Sequence, residues 1–227
     1  MLDVLIIAAH PDDAEIGMGG TILRMLEDGL RVGILDLTNG EPTPLGTPEI
    51  RMRETKAASA VLGVTWRTNL DLPNRKLQHD LTARTALASI IRKTQPRWLF
   101  THYWVDAHPD HVAACELTEA ARFWSKLTKC ELPYSPHFPE RVFHFWSVHQ
   151  KILPDPAFII DTTKTREAKQ KAILCYKSQF PTLKTGLSVP ERVAAGDTWW
   201  GTMIGTAGGE PFACREPIAL SGFGDLR

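Results

Sequence analysis

Val4-Leu5-Ile6-Ile7-Ala8-Ala9-His10-Pro11-Asp12-Asp13-Ala14-Glu15-Ile16-Gly17-Met18-Gly19-Gly20 passes from an unbroken apolar run into a polar, proline-bearing and then glycine-rich segment. The run Val4 to Ala8 reads as a strand buried on both faces. Thr21 to Asp28 repeats its apolar residues at helical spacing and is followed by Gly29, a residue suited to a C-cap. The polar cluster therefore falls in a strand-to-helix turn, at the strand end where open α/β sheets place their ligands. Pro11 stiffens the backbone where one imidazole and two carboxylates are presented. An imidazole and a carboxylate three residues apart can close on one metal ion and leave the other carboxylate free.

A second cluster, Asp106-Ala107-His108-Pro109-Asp110-His111, has the same setting. The apolar run Trp98-Leu99-Phe100-Thr101 precedes it, and Val112 to Trp124 follows with Ala113, Leu117, Ala120 and Trp124 on one helical stripe. In a parallel sheet both turns emerge on one edge, so the two clusters are expected to converge. Between them, Val32 to Leu37 reads as a strand and Thr38 to Pro48 as a long loop. A helix then starts with Thr47 as N-cap and Pro48 at its first position, and runs to Gly63. Val64 begins a third strand, and Leu81 to Thr94 has helical period. Past Lys126 the pattern weakens. Strands are expected at Arg141–Trp146 and Phe158–Asp161, helices at Thr163–Tyr176 and Pro190–Trp200, and a glycine-rich loop at Gly201–Gly209. This alternation predicts an α/β fold: a three-layer, Rossmann-like sandwich with a mostly parallel sheet and its site at the carboxyl ends of the strands. Residues 1–227 are expected to form a single domain.

The 26 basic and 26 acidic residues balance, which gives no electrostatic footprint for nucleic acid or an anionic membrane. Met1-Leu2-Asp3 lacks a basic leader, and the apolar run after it is too short to span a bilayer. Cys115, Cys130, Cys175 and Cys214 are scattered and read as reduced thiols, so a cytoplasmic protein is expected. Gly17-Met18-Gly19-Gly20 lacks the GxGxxG spacing, and Asp12 and Asp13 would repel a pyrophosphate. Neither a P-loop nor a GxSxG elbow occurs. His102 follows its strand closely enough to line the site or to play an ordinary polar role. His79, His137, His144 and His149 read as unrelated to it.

His10-Pro11-Asp12-Asp13 together with His108-Pro109-Asp110-His111 resembles the paired signature of the LmbE-like (PIG-L type) zinc N-deacetylases. Asp36-Leu37-Thr38-Asn39-Gly40-Glu41, Gly46 to Arg51 with Glu54, Leu62-Gly63 and Asn69 to Pro73 resemble one branch in particular. So do Tyr176 to Phe180 and Gly209 to Phe212. That branch deacetylates N-acetylglucosaminyl malate in bacillithiol synthesis. The resemblance implies Zn2+ on His10, Asp13 and His111, with Asp12 as general base and a protonated His108 as general acid or oxyanion partner. It implies that Arg51 holds the substrate or the tetrahedral intermediate. It further implies a small amino-sugar substrate and a homo-oligomer, since relatives are often hexameric. Ala107 stands where many relatives carry Arg, and Asn39, Pro42 to Leu45 and Arg75-Lys76 also depart from the commoner pattern, which leaves the exact sugar open. Deacetylation of a chitooligosaccharide or an antibiotic intermediate is the nearest alternative. A two-His, one-carboxylate donor set also serves Fe(II) oxygenases, and a sugar- or metal-binding module without activity is the remaining reading. The oxygenases usually sit on all-β scaffolds with different ligand spacing, whereas this chain alternates strand and helix, and a binding module has no need for the spare carboxylate of Asp12.

Overall fold

Alternate residues of the first strand feed two separate cores. In the computed structural model, residues 1–149, 155–180 and 185–220 are described. Strand β1 (Val4–Ala8) has every side chain buried. Leu5, Ile7 and Ala9 pack on one face with Leu87, Ala88, Ile91, Leu117 and Ala121. Val4, Ile6 and Ala8 pack on the other with Ala14, Met18, Ile22, Ala172 and Phe212. The two-residue period of a strand between helical layers requires this division. The remaining elements are α1 (Asp13–Glu27), β2 (Val32–Thr38), α2 (Pro48–Leu62), β3 (Trp66–Leu72), α3 (Leu81–Thr94), β4 (Trp98–His102) and α4 (Pro109–Ser125). They are followed by β5 (Arg141–Phe145), β6 (Phe158–Asp161), α5 (Arg166–Ile173), α6 (Val189–Met203) and β7 (Gly209–Ala213).

The seven strands lie in the order β3-β2-β1-β4-β5-β7-β6. Six run in one direction, while β7 runs antiparallel to both of its neighbours, β5 and β6. The expected mostly parallel sandwich is thus the observed one. β4 pairs directly with β1, Val4 opposite Trp98 and Ile6 opposite Phe100, which brings the two polar turns side by side. Local signals place the helices between them. Thr47 Oγ1 accepts from the Ile50 N–H at 3.3 Å, and Gly63 closes α2 in the left-handed region at φ 76°.

Three departures from the sequence reading bear on the site. First, α1 begins at Asp13, and α4 at Pro109, so each polar cluster extends into a first helical turn. Second, α1 is broken at Met18 (φ −152°). The break leaves the N–H groups of Gly20 and Thr21 to the Glu210 carboxylate, at 2.9 and 2.6 Å. Gly17 lies so close to the Phe145 ring that a Cβ there would come within 2.3 Å of it. Third, Gly209 to Ala213 is a strand that the apolar pattern did not announce. Only Phe212 and Ala213 pair with β5, so Pro211 costs that ladder no donor. Helix α5 is shorter than expected and α6 longer, and the four cysteines are unpaired.

A candidate metal centre at two neighbouring strand ends

The turn after β1 folds onto itself. The His10 N–H donates to Asp13 Oδ2 at 2.9 Å, and His10 Nδ1 lies 3.1 Å from the same oxygen. From the neighbouring turn, His111 Nε2 approaches Asp13 Oδ1 at 3.3 Å. His10, Asp13 and His111 are all buried, and their ligand atoms lie within 4.8 Å of one another. Two imidazoles and one carboxylate make a donor set suited to zinc, and three protein ligands leave a further coordination position open. His111 Nδ1 lies 3.1 Å from Asp106 Oδ2. A carboxylate on the far nitrogen orients a ligating imidazole and frees Nε2 for a metal. Asp106 carried no role in the sequence reading. Its position five residues ahead of a candidate ligand histidine was the available signal.

A second set overlaps the first, because His10, His108 and Asp110 also bring their ligand atoms within 4.8 Å. Its members are otherwise engaged. Asp110 accepts from the backbone N–H groups of Arg75 at 2.7 Å and Leu77 at 3.3 Å, which fastens the loop after β3 over the site. His108 is the N-cap of α4, and its Nδ1 accepts from the Asp110 N–H at 3.2 Å. A nitrogen that accepts carries no proton, so the His108 proton sits on Nε2 and the ring is neutral. The expectation of an imidazolium at His108 does not fit this hydrogen bond.

Histidines 102, 111 and 108 stack in a column, with centroid separations of 4.1 and 4.6 Å. His102 is fully buried, accepts from the Ala9 N–H at 3.0 Å and lies 3.3 Å from Asp13. Its place is inside the site. His149, read as unrelated, stands 5.6 and 5.7 Å from the His108 and His111 rings. His79 and His137 lie elsewhere, on Glu116 and the Pro96 carbonyl. His144 binds the His102 carbonyl through Nδ1 at 2.9 Å.

Asp12 is the N-cap of α1 at φ 132°, a strained conformation for a non-glycine residue, and its carboxylate belongs to neither group of possible ligands. Arg51 receives it: Nη1 donates to Asp12 Oδ2 at 2.9 Å and to the Pro11 carbonyl at 2.8 Å. Arg51 Nε donates to Glu41 Oε1 at 3.3 Å and Nη2 to the Gly40 carbonyl at 3.4 Å. Gly40, at φ 75°, permits this approach, since a Cβ there would meet Nη2 at 2.9 Å. Arg51 is only 4% exposed, and four of its five N–H groups donate to the protein. In this arrangement it holds Asp12 while still lining the cavity, so positioning of Asp12 adds to the substrate role expected from sequence. Arg51→Lys, which replaces a fork by a single ammonium, is expected to lower turnover about tenfold with metal content unchanged. Unaltered kcat in a metal-loaded Arg51→Lys protein would remove this positioning role.

Burial and charge set the ionisation of the metal-free site. Burial pulls His10 down, but Asp110 and Asp13 outweigh it and hold the imidazole up at about 10. Burial likewise opposes the charge on His111, while Asp13 and Asp106 raise it to about 9. Asp13 is held well below the usual carboxylate range because His111, His102 and His10 overcome the cost of its burial. Burial raises Asp12 to about 7 against the pull of Arg51. It lowers His108 to about 4, with His111 and His10 acting in the same direction.

These groups open onto a cavity of about 170 Å³, with Asp12, His108 and Gln179 in its wall. A larger cavity of about 710 Å³ runs along α2 and the edge strand β3, but among the described residues it contains no metal-ligating cluster. The smaller one is lined by the candidate ligands His10, Asp13 and His111.

Residues 5–122 match the PIG-L family, GlcNAc-PI de-N-acetylase, and the chain belongs to that family. It is 31% identical to diacetylchitobiose deacetylase of Thermococcus kodakarensis, over 78% of this chain and 70% of that one. It is 30% identical to the 1D-myo-inositol 2-acetamido-2-deoxy-alpha-D-glucopyranoside deacetylase of Actinosynnema mirum, over 52% and 54% of the two chains. Among solved structures, a conserved protein from Thermus thermophilus superposes with a TM-score of 0.90 at 37% identity, covering 97% of each chain. The enzyme class is accordingly an N-deacetylase, an amide hydrolase. No described helix is long and apolar enough to cross a membrane.

Proposed function

We propose that this chain hydrolyses the acetamide of an N-acetylglucosamine conjugate, releasing acetate and a free amine, with zinc held by His10, Asp13 and His111. One observation carries the reading. A buried donor set of two imidazoles and one carboxylate stands beside a second buried carboxylate, Asp12, that the set does not use. Zinc in that set supplies a Lewis acid for the acetamide oxygen and makes water acidic near neutral pH. Asp12, fixed by Arg51, takes a proton from the attacking water. The water oxygen adds to the carbonyl carbon. His108 Nε2–H points its proton to the oxygen that gains negative charge, since Nδ1 is occupied by the Asp110 N–H. As the C–N bond breaks, the proton collected by Asp12 passes to the leaving amine.

The aglycone is the finer question. The motif resemblance favours malate, whereas the two curated relatives are named for substrates with a second sugar or an inositol. We take the neutral, hydroxylated class as the substrate and the malate conjugate as its competitor. Primary-amine release by zinc-loaded protein is the test, with N-acetylglucosamine, N,N′-diacetylchitobiose, the inositol glycoside and the malate glycoside as substrates. Amine release from none of the four would sink the proposal.

Zinc binding is expected to depend steeply on pH. At pH 7 the metal-free protein holds His10 and His111 protonated, their values being about 10 and about 9. Both must lose that proton to ligate. Affinity therefore rises from pH 7 to pH 9, by more than tenfold per unit when more than one proton leaves, and levels above about 10. Calorimetry in buffers of different ionisation enthalpy counts the protons released. A count of zero at pH 7 would contradict this assignment of the ligands.

A further inference from the structure

The segment after α5 brings a fixed amide to the wall of the metal-centre cavity. Gln179 is half-buried and lines that cavity together with Asp12, Arg51 and Thr43. Its backbone is pinned at two points. The Gln179 N–H donates to the Tyr176 carbonyl at 3.0 Å. Beside it, Ser178 donates its N–H and its hydroxyl to the two oxygens of Glu54, at 2.8 and 2.6 Å, which ties the segment to α2 across 124 positions.

The side chain is held as firmly. Gln179 Nε2 lies 2.7 Å from Ser178 Oγ, 3.1 Å from Thr43 Oγ1 and 3.4 Å from Glu41 Oε1. The Ser178 and Thr43 hydroxyls already donate their protons to Glu54 and Glu41. All three neighbours can therefore only accept, and the amide must turn its nitrogen to them. Its oxygen is left over. Gln179 Oε1 has no hydrogen-bond partner among the described residues and is not one of the buried unpaired atoms, so it remains accessible. An amide bound through its nitrogen in this way presents an oriented, neutral acceptor.

Glu41 tells what that acceptor meets. Its Oε1 receives Arg51 Nε at 3.3 Å as well as Gln179 Nε2, and Arg51 in turn holds Asp12. Gln179 thus stands on the side of the base, which returns its proton to the leaving amine in the proposed mechanism. An acetamido sugar carries two donors on its amine side, the amide N–H and the neighbouring ring hydroxyl. A site built to pair such a donor rejects an analogue without it, because its own polar atom is then left unpaired.

We propose that Gln179 Oε1 accepts a hydrogen bond from the acetamido sugar, from the scissile N–H or from the hydroxyl beside it, and so determines substrate specificity. The inference rests on the deacetylase reading for the substrate.

The test compares acetate release by zinc-loaded wild type and Gln179→Met. Three compounds are used: N-acetylglucosamine, its 3-deoxy analogue, and the 2-acetate ester of glucose, in which oxygen replaces the amide nitrogen. Loss of one neutral hydrogen bond should lower kcat/KM for N-acetylglucosamine about tenfold. The loss should vanish for one analogue, the ester if the N–H is the donor and the deoxy sugar if the hydroxyl is. Losses of equal size for all three would overturn the proposal, since they would report only disturbance of Glu41 and Arg51. No loss for any would overturn it as well. If wild type releases acetate from none of them, the deacetylase reading fails, and calorimetric titration of the same compounds decides the contact. Affinity lowered by Gln179→Met for N-acetylglucosamine but not for one analogue would keep it, and equal effects on all three would remove it.

Discussion

His111→Ala protein is expected to lose metal affinity by about a hundredfold or more, with its far-ultraviolet circular dichroism unchanged. Two overlapping triads share His10, so the choice between them decides the chemistry. In the first, Asp13 has both oxygens turned to imidazoles, at 3.1 Å from His10 and 3.3 Å from His111. Asp106 holds the far nitrogen of His111, and removal of even such outer partners typically costs 10- to 100-fold in affinity, about a ligand's minimum. In the second triad, both Asp110 oxygens receive backbone N–H groups and His108 Nδ1 is spent on a cap. Asp110→Ala is therefore expected to loosen the loop at Arg75 and Leu77 while most of the metal affinity stays. Metal analysis after dialysis reads both variants. If Asp110→Ala lost the metal and His111→Ala kept it, the second triad would be the centre and Asp13 would be free for other work.

Much of this frame was legible because it is local. Val4 to Ala8 announces a central strand by being apolar throughout, and Thr47 and Gly63 mark the ends of α2 by their hydrogen-bonding and conformational chemistry. The helix-start geometry of both polar turns was less legible. Asp13 and His111 enter their first turns because Pro109 and the Asp12 backbone start the helices early, which apolar spacing does not register. Contacts made across the fold were not legible at all. Glu210 meets Gly20 across 190 positions, and Arg51 meets Asp12 across 39. A residue type tells what a side chain can bind, and only the strand order tells what it meets. For the same reason Arg51 read as a group for substrate alone, and the structure adds its hold on Asp12, Glu41 and two carbonyls. His102 owes its place against Ala9 and Asp13 to β1 and β4 being neighbours.

Asp12→Asn is expected to lower turnover by about 10²- to 10⁴-fold, the usual share of general-base catalysis, with zinc still bound. The amide keeps the size and can still accept from Arg51, but it cannot take the proton of the attacking water. Asp12 is not in either triad, and its Oδ2 lies 2.9 Å from Arg51, which keeps it beside the donor set without joining it. Metal content should therefore match wild type. Substrate affinity should change far less than kcat, because the lost interaction belongs to the transition state. The contrast with Arg51→Lys sharpens the assignment, since that variant retains the base and disturbs only its placement, for about a tenfold loss. Should Asp12→Asn lose zinc, the two adjacent carboxylates would exchange roles, with Asp12 as ligand and Asp13 as base. Should it keep both zinc and full amine release, no carboxylate in this turn would act as the base. His108 would then be the group left to test, because its Nε2 is the other polar atom that faces the reacting amide in the proposed mechanism.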